Sequence, residues 1–232
     1  MEIATIGILA GMGPKSTAPF IDQVVIQSQS ILNAKEQIEF PPMMIYSLPT
    51  SFYMDKPMDH EVVKNEICQG LKRLEKSEVS FIVMPCNTAH IYYEFLQKCV
   101  KVPLINMIDM AVDSLPSNIK KVAILATSYT IDSQLYQKRL KEKGIEYLVD
   151  EELQVLVNQL ISKITSEKDY GFIKNLWEKI SNILIKKNID TIIFACSDLN
   201  IILDKVQIQF NIVDPTLCLA KEAVKKWKKV NG

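Results

Sequence analysis

The chain has 232 residues, enough for one large domain or for two small ones that each bury a core of their own. Its 27 basic residues balance 27 acidic ones, so no net charge favours nucleic acid or an anionic membrane surface as a partner. Its apolar runs fall far short of the roughly 20 residues that a membrane-spanning helix needs. The first residues carry no signal-peptide pattern, so we expect a cytoplasmic protein.

Short apolar runs rich in Ile and Val alternate along the chain with longer stretches of helical period. The runs are apolar throughout, which is typical of strands buried on both faces of a parallel sheet. The predicted strands lie in residues 4–10, 43–48, 80–85, 102–108, 120–127, 190–196 and 209–214. The predicted helices lie in residues 60–78, 133–144, 151–164, 171–188 and 215–227. This alternation predicts an α/β fold with mostly parallel sheets flanked by helices.

The first predicted strand ends in GMGPKST, residues 11–17, a glycine-rich stretch of the kind that begins many phosphate-binding loops. A Walker loop needs Gly-Lys-Ser/Thr, but here Pro14 separates Gly13 from Lys15 and removes an N–H group that would wrap a phosphate. The dinucleotide-binding pattern fails as well, because position 16 is a serine. We therefore interpret the stretch as a strand-to-helix turn with Pro14 in the first helical position, at a sheet edge that suits a carboxylate as well as a phosphate.

Three blocks of the first half recur in the same order in the second half. IGILA at 6–10 matches VAILA at 122–126, FIVMPCNTAH at 81–90 matches TIIFACSDLN at 191–200, and INMIDMAVDSL at 105–115 matches FNIVDPTLCLA at 210–220. The recurrence predicts a duplicated α/β domain. A Pro- and Ser-containing link at 115–121 marks the boundary, which gives an N-terminal domain of residues 1–115 plus 215–232 and a C-terminal domain of residues 116–214.

The chain contains five cysteines, and none lies at metal-site spacing with a histidine partner. We therefore expect five thiols, no disulfide framework and no metal site. Three of these cysteines fall within helical stretches and are expected to pack in a core: Cys68, Cys99 and Cys218.

The other two, Cys86 and Cys196, occupy matching positions in the repeats, each directly after a predicted strand. Each also precedes a predicted helix start, at Asn87-Thr88 and at Ser197-Asp198. A helix start lowers the pKa of a nearby thiol towards neutrality, and the thiolate then serves as a base or a nucleophile.

Two matched thiols suggest a particular reaction. If the halves face each other across a pseudo-dyad, the thiols meet across a molecule bound in the interdomain cleft. One thiolate then removes a proton from a stereocentre while the opposing thiol protonates the other face, a reaction that needs no cofactor. Helix N-termini together with Asn87, Thr88 and Ser197 would supply donors for the developing enolate.

Three motifs resemble those of the aspartate/glutamate racemase family: GILAGMGPKST, MPCNTAH and ACSDLN. The resemblance covers essentially the whole chain. It implies two pseudo-symmetric α/β domains, an interdomain site, a homodimer, an amino-acid substrate and a two-cysteine mechanism without pyridoxal phosphate or metal. By this resemblance Cys86 and Cys196 are the acid/base pair. The resemblance also implies that Asn87, Thr88 and Ser197 bind the substrate's α-carboxylate or amino group, with Met12 and Gly13 close by.

The chain departs from the aspartate-specific members, which carry an arginine shortly after the second strand and a lysine in the second domain. Residues 46–56 contain no arginine, and Lys56 is their first cation. The candidate lysines of the second half are Lys163 and Lys168. Because a buried carboxylate without a cation is costly, we expect a substrate other than aspartate. The side chains expected around it are Tyr46, Thr50, Phe52 and Tyr53.

Four further side chains complete the sequence-based interpretation. His90 lies one helical turn after Cys86 and either tunes that thiol or caps and packs. Asp198 either takes part in the site and orients Cys196 or caps a helix. The expected core residues are Trp177 and Trp227.

The sequence thus favours a cofactor-independent amino-acid racemase. A related isomerase or decarboxylase on the same scaffold is the second interpretation, in which one cysteine attacks or protonates an enediolate. A catalytically silent binder of amino acids or carboxylates is the third, although a binder has no need for two matched thiols. A nucleotide-binding switch is the fourth.

Overall fold

The structure is a computed structural model that describes residues 3–52, 57–166, 170–203 and 205–231. The strands are β1 Ile6–Ala10, β2 Met43–Ser47, β3 Phe81–Val83, β4 Lys121–Leu125, β5 Glu146–Tyr147, β6 Thr191–Phe194 and β7 Asn211–Val213. The α-helices are α1 Thr17–Leu32, α2 His60–Glu75, α3 Tyr93–Cys99, α4 Met107–Asp113, α5 Ser128–Asp132, α6 Leu135–Glu142, α7 Glu151–Ser166, α8 Tyr170–Lys186 and α9 Pro215–Asn231. Short 3₁₀ helices cover Pro14–Ser16, Gln37–Glu39, Thr88–Tyr92 and Ser197–Ile202.

The chain divides into two compact units, Met1–Met110 with Thr216–Gly232, and Ala111–Pro215. The first unit holds a sheet of order β2-β1-β3, and the second holds a sheet of order β5-β4-β6-β7. Every strand pair in both sheets is parallel. The predicted α/β class with parallel sheets is therefore confirmed. In each sheet the unit's first strand lies between its second and third, which agrees with the matching blocks of the two halves.

One core cluster of the first unit forms between its sheet and two helices that are far apart in sequence. Side chains of β1 pack with Phe20 and Val24 of α1 and with Leu219 and Val224 of α9, all of them buried. The backbone at Ala4 joins α9 through two hydrogen bonds, from the indole of Trp227 at 2.7 Å and to the amide oxygen of Asn231 at 3.0 Å. Burial of this apolar surface holds α9 on the first unit.

The second unit has a core between its sheet and the pair α7 and α8. Trp177 of α8 is 2% exposed, as the prediction that it packs in a core requires. Its ring makes edge contacts with Phe194 and Phe210 at centroid distances of 6.0 and 6.1 Å. Its indole N–H donates to the carbonyl of Gln207 at 3.3 Å, so the buried polar group has an acceptor.

The predicted strand over residues 102–108 is wrong. This segment contributes a single parallel bridge, between Leu104 and Ile82, and then enters α4 at Met107. Two local features explain the difference. Pro103 has no N–H to donate to a ladder, and the side chain of Asn106 accepts from the N–H groups of the first turn of α4 at 3.0 and 3.4 Å.

The prediction that every strand is buried on both faces is wrong for β2. This strand lies at the end of its sheet order and pairs with β1. Met44 and Ile45 are 42% and 40% exposed. An apolar run therefore identified the strand but not its place at the sheet edge.

The prediction of five thiols is also wrong, because Cys68 and Cys99 form a disulfide. Cys68 lies on α2 and Cys99 is the last residue of α3, and their Cα atoms are 5.9 Å apart. The packing of α2 against α3 brings together two cysteines that are 31 residues apart in sequence. The remaining cysteines, Cys86, Cys196 and Cys218, are thiols. None of the helices in the described ranges combines the length and apolar character that crossing a bilayer requires.

Candidate active site

The turn after β1 is built around a glycine in a left-handed conformation. Gly11 has φ +96°, and a Cβ there would lie 2.5 to 2.8 Å from backbone atoms of Leu48. Leu48 approaches so closely because its N–H donates to the carbonyl of Ala10 at 2.8 Å, in continuation of the β1–β2 pairing. The sequence therefore needs glycine at this position both for its dihedral angle and for lack of space.

The hydroxyl groups of the turn make hydrogen bonds within it. Thr17 Oγ1 accepts from the N–H of Gly11 at 3.1 Å, and Ser16 Oγ donates to the carbonyl of Gly13 at 2.9 Å. Pro14 begins the 3₁₀ helix that leads into α1, so its predicted place at the first helical position is confirmed. Both hydrogen bonds therefore join atoms of the same turn.

The turn after β1 and the turn after β3 share a recess on the first unit. Because β1 and β3 are parallel neighbours, their carboxyl ends lie at the same edge of the sheet. The recess is shallow and open to solvent, and it is lined by Leu9, Ala10, Gly11, Met12, Gly13, Ser16, Thr17, Pro85 and Cys86. The structure thus brings the predicted site residues Met12 and Gly13 together with Cys86.

Cys86 occupies a tight turn between β3 and the 3₁₀ helix Thr88–Tyr92. Its N–H donates to the carbonyl of Met84 at 2.8 Å, and its side chain is partly buried. Asn87 is 3% exposed, and its carbonyl accepts from the N–H of His90 at 3.0 Å, which closes the first helical turn. The predicted helix start at Asn87 and Thr88 is confirmed, in 3₁₀ form.

His90 is 1% exposed and connects this turn to the start of α4. Its Nδ1 atom lies 2.8 Å from the carbonyl oxygen of Cys86, and its Nε2 atom lies 3.1 Å from the backbone nitrogen of Met107. Burial lowers the pKa of the imidazole, while the carbonyls of Cys86 and Ile105 act in the opposite direction because each would accept from a protonated ring. Burial has the larger effect, so the pKa of His90 lies below its ordinary value, which favours the neutral ring at pH 7.

Cys196 has a similar local setting in the second unit. It follows β6 after one residue and precedes the 3₁₀ helix Ser197–Ile202, and its carbonyl accepts from the N–H of Leu199 at 3.1 Å. The thiol is partly buried and packs against that unit's core. Ser197 and Asp198 are the first two residues of the 3₁₀ helix and are partly exposed. The predicted helix start is confirmed here too.

The remaining predicted site residues do not line this recess. Tyr46, near the end of β2, accepts a hydrogen bond from the guanidinium of Arg73 at 2.8 Å. The two residues are 27 positions apart, so the sequence pattern does not predict this contact. Thr50 and Phe52 are partly exposed, after β2. Lys163, on α7, lies over the ring of Phe172 with its Nζ 5.4 Å from the centroid. Outside the described residues are Tyr53, Lys56 and Lys168.

The acidic, histidine and cysteine side chains do not gather into a metal-binding group of three or more anywhere in the described ranges. The partly exposed thiols and the recess beside Cys86 are therefore the chemically distinctive features of the described chain. A partly exposed thiol, once ionised, suits proton transfer or nucleophilic attack.

Comparison with known proteins matches the chain to one family. The family model described as Asp/Glu/Hydantoin racemase matches residues 9–223. The broad specificity amino-acid racemase RacX of Bacillus subtilis is 45% identical over 219 residues, which cover 94% of this chain and 96% of that protein.

Solved structures show the same fold. The aspartate racemase of Picrophilus torridus superposes with a TM-score of 0.81 at 25% identity, over 97% of this chain and 94% of that one. The glutamate racemase of Francisella tularensis, in complex with D-glutamate, superposes with a TM-score of 0.70 at 20% identity, over 100% of this chain and 83% of that one.

Proposed function

The chain belongs to the Asp/Glu/hydantoin racemase family, and from this premise we propose that it is an amino-acid racemase whose acid/base groups are the thiols of Cys86 and Cys196. The observation that carries the reaction class is the 45% identity to RacX over 94% of the chain. Both proposed residues are thiols that follow parallel strands, Cys86 after β3 and Cys196 after β6. The enzyme is accordingly an isomerase that acts on amino acids.

The proposed reaction inverts the α carbon in two proton transfers. One cysteine acts as a thiolate and takes the α-proton, and the electron pair of the broken C–H bond moves into the substrate carboxylate. The other cysteine, as a thiol, then donates its proton to the opposite face. The thiol and the thiolate have exchanged places at the end, so the next turnover runs from the other enantiomer or follows proton exchange with water.

The α-proton of an amino acid is weakly acidic, so the site has to stabilise the charge that develops on the carboxylate. We propose that backbone N–H groups and the side chains of Asn87, Thr88 and Ser197 do this. Met12 and Gly13 would lie against the same substrate, which is supported by their place beside Cys86 in one recess. We propose Thr50 and Asp198 as further contacts to the substrate.

We propose that the substrates include amino acids without a second carboxylate. RacX is described as a broad-specificity enzyme, and residues 46–56 offer no arginine to bind an acidic side chain. The described part of this segment offers hydroxyl and aromatic groups instead, on Tyr46, Thr50 and Phe52. Such groups tolerate several side chains, whereas a buried cation would select an acidic one.

The experiment that tests the function is proton exchange in heavy water. Each of the common amino acids, as a single enantiomer, is incubated with the enzyme in D₂O and followed by NMR and chiral chromatography. A racemase incorporates deuterium at Cα as optical rotation is lost. Release of CO₂ would identify a decarboxylase instead, and a rise in melting temperature without turnover would identify a silent binder.

Three finer predictions belong to the same proposal. Activity is expected without added pyridoxal phosphate or metal, in enzyme dialysed against a chelator. Sedimentation is expected to show a homodimer. When cells that produce the enzyme are fractionated, we expect the enzyme in the cytoplasmic fraction.

A further inference from the structure

We propose that His90 is a positioning residue for Cys86, which it holds through the backbone carbonyl by means of one fixed tautomer. This inference rests on the proposed catalytic role of Cys86. It decides between the two interpretations of His90 that the sequence left open. The buried ring contacts the backbone of the Cys86 turn, so it acts through Cys86.

The two hydrogen bonds of the ring fix where its proton sits. The partner of Nδ1 is the carbonyl oxygen of Cys86, at 2.8 Å, and a carbonyl oxygen accepts. The partner of Nε2 is the N–H of Met107, at 3.1 Å, and an N–H donates. The proton is therefore on Nδ1 and the lone pair is on Nε2. The opposite tautomer would lose both of these bonds, and a protonated ring would exchange the bond from Met107 for one to the carbonyl of Ile105.

The ring is held against rotation by what surrounds it. Its plane stacks on the ring of Tyr93 at a centroid distance of 6.0 Å and an interplanar angle of 5°. Tyr93 is fixed in turn by its hydroxyl, which donates to the carbonyl of Leu104 at 2.9 Å. Met107 is the first residue of α4, so the imidazole also satisfies an N–H that has no acceptor within the helix.

The consequence is that the Cys86 turn is attached to a second, separately packed element. The 3₁₀ helix that contains His90 begins at Thr88, two residues after Cys86. The imidazole of His90 joins the carbonyl of Cys86 to the N–H of Met107 at the start of α4. The rotation of the Cys86–Asn87 peptide sets the direction of the Cys86 side chain. A thiol that must approach one face of a carbon needs this rotation fixed.

Two substitutions of His90 each keep one of the two hydrogen bonds that its ring makes. In His90→Asn the side-chain amide nitrogen lies two bonds from Cβ, as Nδ1 does, and can donate to the Cys86 carbonyl. In His90→Gln the amide lies one bond further, as Nε2 does, and its oxygen can accept from the N–H of Met107. His60→Gln, at the chain's other histidine, which is exposed, serves as the control.

The measured quantities are kcat and KM for the best substrate found by proton exchange. We expect His90→Gln to lower kcat by about tenfold or more, the size typical of losing one buried hydrogen bond, with KM changed by less than about twofold. His90→Asn is expected to recover most of that loss, and His60→Gln to match the parent. Equal losses in both His90 variants, no loss in either, or a larger loss in His90→Asn would each overturn the proposal.

The tautomer can be read directly in the parent enzyme, without any substitution. With ¹⁵N-labelled histidine the spectrum holds two imidazole groups, and His60→Gln assigns them. We expect a protonated Nδ1 and an unprotonated Nε2 for His90 at pH 7, and the reverse would overturn the proposal. The proposed function fails separately, if the parent shows no α-proton exchange or if Cys86→Ser is fully active.

Discussion

Thr17 Oγ1 accepts a hydrogen bond from the N–H of Gly11 at 3.1 Å, across the turn that follows β1. In a phosphate-binding loop that N–H and that hydroxyl would both face the nucleotide. Here they bind each other, and Pro14 has no N–H to add. We predict that neither ATP nor GTP raises the melting temperature, while a substrate amino acid does. A clear rise with either nucleotide in a thermal-shift assay would contradict this interpretation of the turn.

The same turn gives a matched pair of glycine substitutions. Gly11→Ala places a Cβ within 2.5 to 2.8 Å of the Leu48 backbone at φ +96°, whereas Gly144→Ala meets nothing within 4 Å at φ +69°. We expect Gly144→Ala to cost about 1 kcal/mol of unfolding free energy, from its positive φ alone. Gly11→Ala is expected to cost about 3 kcal/mol or more, because backbone has to move as well. Urea unfolding measures both, and equal costs would show that the contact with Leu48 is relieved easily.

The Cys68–Cys99 bridge is predicted to be a major contribution to the stability of the first unit. It closes a loop with a sequence separation of 31 residues, for which chain entropy gives about 3 to 4 kcal/mol. The double variant Cys68→Ser/Cys99→Ser should lose about that much in urea unfolding, while Cys218→Ser should lose little.

A thiol count provides an independent check on this bridge. The chain has five cysteines, of which three are thiols. Unfolded enzyme that has not been reduced should therefore titrate three thiols and reduced enzyme five. Five thiols without reductant would contradict the bridge.

Asp150 connects the stability of the second unit to pH. Its carboxylate accepts from the N–H of Leu153 at 3.0 Å and pairs with Lys187 at 3.1 Å, and both contacts lower its pKa below the ordinary 3.8. The ionised form favours the folded state, so this stabilisation is complete above the unfolded pKa and is lost as pH falls through the lower folded pKa.

The test compares Asp150→Ala with Asp150→Asn. The alanine variant should lose about 1 kcal/mol at pH 7 because it removes the helix cap, and the asparagine variant should lose less because it still caps α7. The difference between parent and Asp150→Ala should shrink as pH falls below 3.8. A difference that stays constant down to pH 2 would show that the charge contributes nothing.

The sequence predicts the regular part of this fold well, because a buried parallel strand leaves a plain apolar run. Six of the seven predicted strands contain an observed strand. The seventh, over 102–108, failed where a proline and a helix-capping asparagine overrode the apolar pattern. The two-residue strand β5 was missed because a run of that length carries no periodic signal.

The sequence predicts the chemical groups of the site but not their contacts. Cys86 and Cys196 were identified because each follows a strand, which is a local signal. The disulfide depends on how α2 packs against α3, and the tautomer of His90 depends on the N–H of Met107, 17 residues away. Contacts of this kind are fixed by tertiary packing, for which one sequence carries no pattern.

The central claim is that one thiol serves each face of the substrate carbon, and single-cysteine variants test it most directly. In D₂O, Cys86→Ser and Cys196→Ser should each lose inversion while keeping the parent melting temperature, because a serine hydroxyl is far too weak an acid to replace the thiol. Cys218→Ser should behave as the parent. Any α-proton exchange that remains should be confined to one enantiomer in Cys86→Ser and to the other in Cys196→Ser. Inversion at the parent rate in either cysteine variant, or exchange of the same enantiomer in both, would contradict the two-thiol mechanism.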